Sequence, residues 1–490
     1  MLKLAERLHI SWLIIAANLG LLGGVALAKI NPDLPVVPWL FIAMGISFIA
    51  LSFLSRIKLI VPIAVIGGIL IGLVMGQETL TKAKQIDKYI GDEVKISGVM
   101  TEDVNANSRG YAIGLDDIEL QIDGHWRPTV ARIWVNASKS NWEVVEKIKR
   151  GDKVILSGVL DSGFGVYRAT LSDANIVKII HQTNHPIIYL RDKFYHQLQR
   201  VMTQLEAGLG MGILAGEKID LGTSIKNAFV AASLTHILVA SGYNLTVLTR
   251  FSRRLFAKKS RWLAIFMSLV FIWAFAIITG SSASMNRAII VAVISLLLWG
   301  VGRRIHPLVL LSLTAAITVI ADPTVLWGDV GWYLSFGSFA GVILLAPMLN
   351  DLIKKLPGQA VWQVLCETIS AQAVTWPIIA LFMGTVSLVG LITNVLVLLL
   401  LPLTMLLTFF AGIGAFILPT VLAKIVALPA AKLLDYVITV AKWGAMLPGA
   451  SLTFQPKVKT VVIYYVVLII AGIVLKIVTK HNFYGDNVVE

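Results

Sequence analysis

"LIVPIAVIGGILIGLVMG", Leu59 to Gly76, contains no charged residue and no polar side chain. At the ~1.5 Å rise of a helix, such a stretch reaches roughly 27 Å, close to the ~30 Å hydrocarbon thickness of a bilayer. It reads as a membrane-crossing helix, and the same reading extends outward in both directions. Upstream lie two more apolar runs, 10–28 and 36–54. Downstream, after a long polar gap, others recur at 232–249, 262–279, 287–301, 306–321, 331–349 and 459–478. Residues 361–420 are apolar enough for two or three helices, and 421–447 form a Lys-containing amphipathic stretch. The expected total is about ten or eleven spans.

Composition agrees. Of 490 residues 57% are hydrophobic and only 14% charged, against about a quarter charged in soluble domains. The run from Ile10 to Ala28 follows Lys3 and Arg7 but lacks a small-residue cleavage site, so it reads as a first span and not a removed signal. The single Cys366 excludes an internal disulfide framework. A net charge of +14 invites a polyanion partner, but basic cytoplasmic loops alone explain it.

Those basic residues set an orientation. Lys3, Arg7, Arg56 and Lys58 flank the first spans and go inside, which delivers residues 77–185 to the outer face. The densest basic run, "RFSRRLFAKKSR" at 250–261, lies one expected span beyond that domain and is expected inside. Arg303, Arg304, Lys354 and Lys355 follow at the same parity, while "DPTVLWGDVG" at 322–331 carries two Asp and no Lys or Arg.

The outer segment reads as β structure. Strand patterns at 92–103, 111–123, 128–136, 152–160 and 166–180 are rich in Val and Ile and broken by Gly, Asn and Asp. "GDEVKISGVM" (91–100) and "GDKVILSGVL" (151–160) are alike, so two strands are expected to enter the sheet similarly. Five strands in this length suit a small barrel of the oligonucleotide/oligosaccharide-binding (OB) type. Tyr111, Trp126, Trp134 and Tyr167 are its candidates for stacking on bases, although such aromatics serve packing more often. The expected organisation is three helices in 1–76, the external domain in 77–185, interfacial amphipathic helices in 186–230, a membrane core in 231–480 and a short tail in 481–490. The fold class is thus a polytopic α-helical membrane protein with an inserted extracellular β-barrel.

Polar groups inside apolar runs need partners or water, since lipid offers neither. Three stretches carry them: "THILVASGYNL" (235–245), "TGSSASMNRA" (279–288) and "GDVGWYLSFGSFAG" (328–341). By parity all three lie at or enter from the outer side and are expected to converge. The candidates are His236, Ser241, Gly242, Asn244, Ser284, Arg287, Trp332 and Ser335. Gly337 and Gly341 read as close helix packing. Catalysis is not expected: Ser241 and His236 lie five apart, about 140° around a helix, and "VASGY" is not a nucleophile elbow. No metal site or cofactor is expected.

These stretches resemble the ComEC family, the DNA channel of bacterial natural transformation. "HILVASGYN", His236 to Asn244, is similar to the family's His-Leu-Leu-Ala-Ile-Ser-Gly-Leu-His, with Asn244 where a second His is usual. "TGSSASMNRA" is similar to Thr-Gly-x-x-Pro-Ser-x-x-Arg-Ala at Thr279, Gly280, Ser284, Arg287 and Ala288, with Ala283 in place of Pro. "DPTVLWGDVGWYLSFGS" resembles the family's third run at Asp322, Pro323, Gly331, Leu334, Ser335 and Phe336, and "GILAGEKIDL" (212–221) its run ahead of the His motif. Many members also carry a metallo-β-lactamase-like hydrolase domain; no His-x-His-x-Asp-His run occurs here, so a form lacking that domain is expected. The resemblance implies import of single-stranded DNA across the bacterial cytoplasmic membrane, in contact with lipid. It also implies a separate DNA receptor outside, a separate nuclease and a cytoplasmic ATP-driven motor.

Electrostatics bears on the motor. Moving one phosphate charge inward against an inside-negative potential costs about 2.3 kcal/mol per 100 mV. A passive pore does not overcome that, and no phosphate-binding Gly-x-x-x-x-Gly-Lys-Ser/Thr loop is encoded. The rival readings are a secondary transporter for a small solute and, behind it, an intramembrane hydrolase. Transporters favour internal repeats and midplane carboxylates; no repeat is visible, and only Glu367 and Asp435 fall plausibly within membrane segments.

Overall fold

The computed structural model describes residues 9–100, 105–106, 111–122, 124–129, 132–137, 148, 152–164, 167–180, 186–216, 221–238, 242–279, 283–303 and 305–481. The elements begin with α1 (Ile10–Ile30), α2 (Pro38–Ser55) and α3 (Val61–Ala83), then β1 (Glu93–Met100), β2 (Asn105–Ala106), β3 (Tyr111–Ile122), β4 (His125–Pro128), β5 (Ile133–Ala137), β6 (Lys153–Ser162) and β7 (Ala169–Ile180). Helices follow: α4 (Pro186–Val201), α5 (Gln204–Ala215), α6 (Thr223–Ala231), α7 (Gly242–Phe256), α8 (Arg261–Thr279), α9 (Ala283–Gly300), α10 (Pro307–Ala321) and α11 (Val330–Ile353). The chain ends with α12 (Gln359–Met383), β8 (Thr385–Val386), α13 (Gly390–Leu398), α14 (Leu401–Ile417), α15 (Thr420–Met446), β9 (Leu452–Thr453) and α16 (Val458–Thr479). Two compact units emerge: residues 1–185 with 312–329, and residues 186–311 with 330–490.

In the first unit, α1 and α3 meet backbone to backbone. A Cβ at Gly20 or Gly24 would lie 2.2 Å from the carbonyl oxygen of Val65 or Ile69. One at Gly68 or Gly72 would lie 2.2 Å from that of Ala17 or Leu21. Two glycines one turn apart on each helix thus create the approach that bilayer helices use where no hydrophobic effect drives them together.

The five strands expected from alternation are present as β1, β3, β5, β6 and β7. Period-two burial is plain in β5, where Ile133, Val135 and Ala137 are buried, and in β6, where Val154, Leu156 and Leu160 are. These strands belong to one seven-stranded sheet in the order β1-β6-β7-β5-β3-β2, with β4 on β3. β5 and β7 run parallel and the other pairs antiparallel. The two similar segments become neighbours, Ile96 opposite Leu156 and Lys95 opposite Ser157.

Residues 312–329 are fixed within this unit by polar contacts. Asp322 accepts from the backbone N–H of Thr324 at 2.9 Å, capping a 3-10 turn over Pro323–Trp327. Its carboxylate is held by Arg132, which also lies 3.9 Å from Asp329. Trp327 donates its indole N–H to the Val25 carbonyl at 3.0 Å, and Lys29 Nζ donates to the Trp327 carbonyl at 2.6 Å.

The second unit is organised around α15. Ala423, Ala427, Ala430, Leu434, Val437, Ile438 and Ala441 are buried at helical spacing along it and share a core with Phe229 and Leu234. α5 is buried at nearly every position from Ala207 to Ala215, and a capping box between Thr203 and Glu206 starts it. It is therefore a core helix, not the one-sided surface helix expected for this part of 186–230. Gly341 packs as expected, since a Cβ there would stand 2.4 Å from the Ser370 carbonyl.

Among the described residues seven helices are long and apolar enough to cross a membrane, and the bent pair α13–α14 makes an eighth if it is counted as one span. Two shorter apolar helices, Ser284–Gly300 and Pro307–Ala321, match expected spans. The stretch 232–249 departs from expectation. Ser233 takes a left-handed φ of 57°, a 3-10 turn covers Thr235–Ile237, and α7 begins only at Gly242. With Arg250, Arg253 and Arg254 in its second half, α7 is amphipathic and is not an apolar span.

Candidate functional site

Gly242 sets α7 against α9. A methyl at Gly242 would come 3.2 Å from the Ala288 side chain, so the first motif lies directly beside the second. Asn244, two residues on, is 4% exposed and donates from Nδ2 to the Ile213 carbonyl at 2.8 Å. That bond ties the His-motif helix to α5, where the family-like run "GILAGE" begins. Leu245, Ile272 and Leu296 close an apolar cluster between α7, α8 and α9.

Arg287, next to Ala288 on α9, is 4% exposed. Its Nη2 donates to the Gly331 carbonyl at 2.8 Å, in the first turn of α11. Its guanidinium also lies 5.5 Å from the Phe336 ring centroid, within cation–π range. Phe336 packs at 4.5 Å on Trp332, which stands edge-on to Tyr333 at 5.9 Å, and Tyr333 reaches Phe382 of α12 at 6.2 Å. A cation removed from water is tolerable only where dipoles and π faces replace hydration; here a carbonyl and an aromatic ring contribute.

The structure thus links Gly242, Arg287 and Trp332 through Ala288 and Phe336, and ties Asn244 to α5. Ser284 stands half-buried one turn before Arg287, and Ser335 half-buried one turn after Gly331. Ser335 gives its carbonyl to Ser338 Oγ at 3.0 Å. His236 is exposed in its 3-10 turn, and Ser241 lies outside the described residues. Phe336, a matching position of the family-like run, is not among the polar candidates because an apolar ring in an apolar run gives no signal of its own.

On the β domain, Trp134 and Tyr167 come together at 5.0 Å, joined by Phe164 at 5.9 and 5.6 Å. Phe164 is exposed and is not legible as a site residue, because its "GFG" surroundings read only as a turn. Trp126 is exposed on β4. Tyr111 pairs through its backbone with Ala137, and its side chain lies outside the described residues. Among the described residues no group of three or more His, Cys, Asp or Glu is placed to hold a metal ion.

Long apolar helices around a set of polar residues at broken or starting helix ends define a multi-pass membrane protein. The family model described as "Competence protein" matches residues 213–477, more than half of the chain, and the chain belongs to that family. Membership gives it a role in DNA uptake. No curated protein and no solved structure matches it.

Proposed function

We propose that this protein is a channel that conducts single-stranded DNA inward across the bacterial cytoplasmic membrane, with Arg287, Asn244, His236, Ser241, Gly242, Ser284, Trp332 and Ser335 along the path. The observation that carries the reading is that α9 meets the other two motifs at adjacent residues, the 328–341 motif at the buried Arg287 and the 235–245 motif at Ala288. A strand crossing hydrocarbon needs hydrogen-bonding walls, and a cation near the entrance offsets desolvation of phosphate. α7 is a broken, polar entry and not a continuous span, which is the kind of irregular backbone tolerated beside a wet cavity. Asp435, a candidate carboxylate for a solute transporter, is exposed on α15 and gives that rival no support.

In this reading the β domain is an OB-like barrel on the outer face. The pairings β1-β6-β7-β5-β3 return to β1 through β3, which supports closure. The Trp134–Tyr167–Phe164 group offers π faces for bases without selecting sequence. A separate receptor delivers DNA, a separate nuclease removes the other strand, and a cytoplasmic motor supplies the pull.

The deciding experiment is uptake of labelled DNA by a transformable host deleted for this gene. Loss of internalised, nuclease-protected label, restored by the intact gene, is the expected result; unchanged uptake of DNA sinks the channel. Orientation is tested in a Cys366→Ser background. Arg127→Cys in the β domain is expected to react with an impermeant thiol reagent on intact cells, and Lys258→Cys only after lysis. The reverse pattern overturns the topology.

A further inference from the structure

Two carboxamides in the second unit have buried polar atoms without partners among the described residues. Gln372 on α12 is 8% exposed and Asn394 on α13 is 5% exposed. Neither Nε2 nor Oε1 of Gln372, nor Oδ1 of Asn394, has a hydrogen-bond partner among the described residues. The neighbouring threonines and Ser387 are satisfied, whereas the buried Ser370 hydroxyl, two residues before Gln372, shares its lack of a partner among the described residues. Thr368 and Thr375, on the Gln372 face of α12, donate to the Val364 and Ala371 carbonyls at 2.7 and 3.0 Å. Thr393 donates to the Ala232 carbonyl at 2.7 Å, and Ser387 to that of Ala231 at 2.5 Å.

Gly390 relates the two amides, facing Gln372 and standing four residues before Asn394. A methyl at Gly390 would sit 3.0 Å from Gln372 Nε2 and 2.6 Å from the Ser233 side chain, so glycine leaves that amide its room. Asn394 lies one turn beyond Gly390 on the same buried face of α13. Ser233 is the left-handed residue of the turn that leads into the His236 motif. The helix carrying Asn394 also breaks: α13 and α14 meet at a 49° bend. Pro402, in the first turn of α14, explains it, since its ring opposes the carbonyl of Leu398 and removes an N–H from the ladder.

Buried amides left unsatisfied lose free energy that apolar side chains of equal size would keep. A carboxamide carries both donor and acceptor and swaps them by rotation, so it can meet the edge of any base. Being neutral, it holds a passing strand too weakly to trap it, which conduction requires. We propose that Gln372 and Asn394 are nucleobase-binding residues of the translocation path, closed in this conformation and reached by the strand when the α13–α14 bend moves.

This proposal rests on the channel reading, and its test separates the two. Gln372→Leu, Asn394→Leu and the double variant, expressed as full chains in the deletion host, remove the hydrogen-bonding groups and roughly keep the volume. The expected result is at least a tenfold fall in DNA uptake by the double variant, with membrane level and melting temperature in detergent unchanged or higher. Normal uptake overturns the proposal. A lowered melting temperature also overturns it, because the amides are then structural. If Arg287→Ala abolishes uptake while the leucine variants transport normally, only this inference fails; if all transport normally, the channel reading fails as well.

Discussion

Gly68→Leu is expected to keep the first unit from assembling. The nearest atom to a new Cβ is the Ala17 carbonyl oxygen at 2.2 Å, well inside any real contact, and it belongs to backbone that cannot rotate away. Leucine adds three further carbons at that point, so α1 and α3 must separate along their length. Separation also empties the contacts at Gly20, Gly24 and Gly72, each as close as the first. Overpacking against movable side chains costs about 1–3 kcal/mol; against backbone at several linked positions the loss lies at or above the upper end of that range. Gly23→Ala on α1 is the control, because the nearest atom there is an Ile69 side-chain carbon at 4.0 Å. That variant is expected to accumulate like the parent, with a gain of up to ~1 kcal/mol from helix propensity. Membrane level and thermal stability in detergent check both. A Gly68→Leu protein that accumulates and melts like the parent contradicts the contact.

The glycine seam shows what kind of information the sequence carries. Gly20-x-x-x-Gly24 and Gly68-x-x-x-Gly72 are legible as small residues one turn apart, but a seam needs two partners, and composition does not pair them. Long apolar runs were legible because hydrocarbon thickness imposes a minimum length. The five main strands were legible because one buried face imposes period two. Residues 232–249 misled for a related reason. Their apolar content resembles a span, whereas the break depends on Ser233 adopting a left-handed backbone and on α7 starting at Gly242. Neither is a matter of hydropathy.

Long-range polar pairing was wholly hidden. Arg132 and Asp322 are 190 residues apart, and nothing local to either announces the other. Within the candidate site, Arg287, Asn244 and Trp332 stood out as polar or amphipathic groups in apolar surroundings, and family-like motifs picked out the same positions. Their contacts, through the Gly331 carbonyl and the Ile213 carbonyl, run to backbone atoms and therefore leave no trace in side-chain identity. Gln372 and Asn394 are hard to see in the sequence because a single neutral amide barely lowers the apolarity of a long run; the cost of burying one unpaired is the available signal.

Arg287→Ala is expected to cut DNA uptake by roughly thirty- to a hundred-and-sixtyfold while protein level and membrane insertion hold. The substitution removes a charge-assisted hydrogen bond to the Gly331 carbonyl and a cation over the Phe336 ring. An interaction of about 2–3 kcal/mol with a passing phosphate, lost at the crest of the barrier, corresponds to that range of rate. Stability is expected to change less. The bond to Gly331 joins α9 to α11, but the guanidinium is also a desolvated charge, and removing it returns part of what the bond supplied. Arg287→Lys keeps the charge yet lacks the planar fork that faces a carbonyl and lies over a ring together, so an intermediate uptake is expected. Phe336→Leu, which retains apolar volume and loses only the π face, is expected to reduce uptake a few-fold, in line with about 0.5–2 kcal/mol for a partly desolvated cation–π contact. His236→Ala, at an exposed position, is expected to fall between these and the parent. Uptake of labelled DNA, normalised to membrane protein, measures the series. If Arg287→Ala transports like the parent, the path runs elsewhere. If the protein vanishes from the membrane instead, Arg287 is a staple between α9 and α11, and the wet wall must be sought among other side chains.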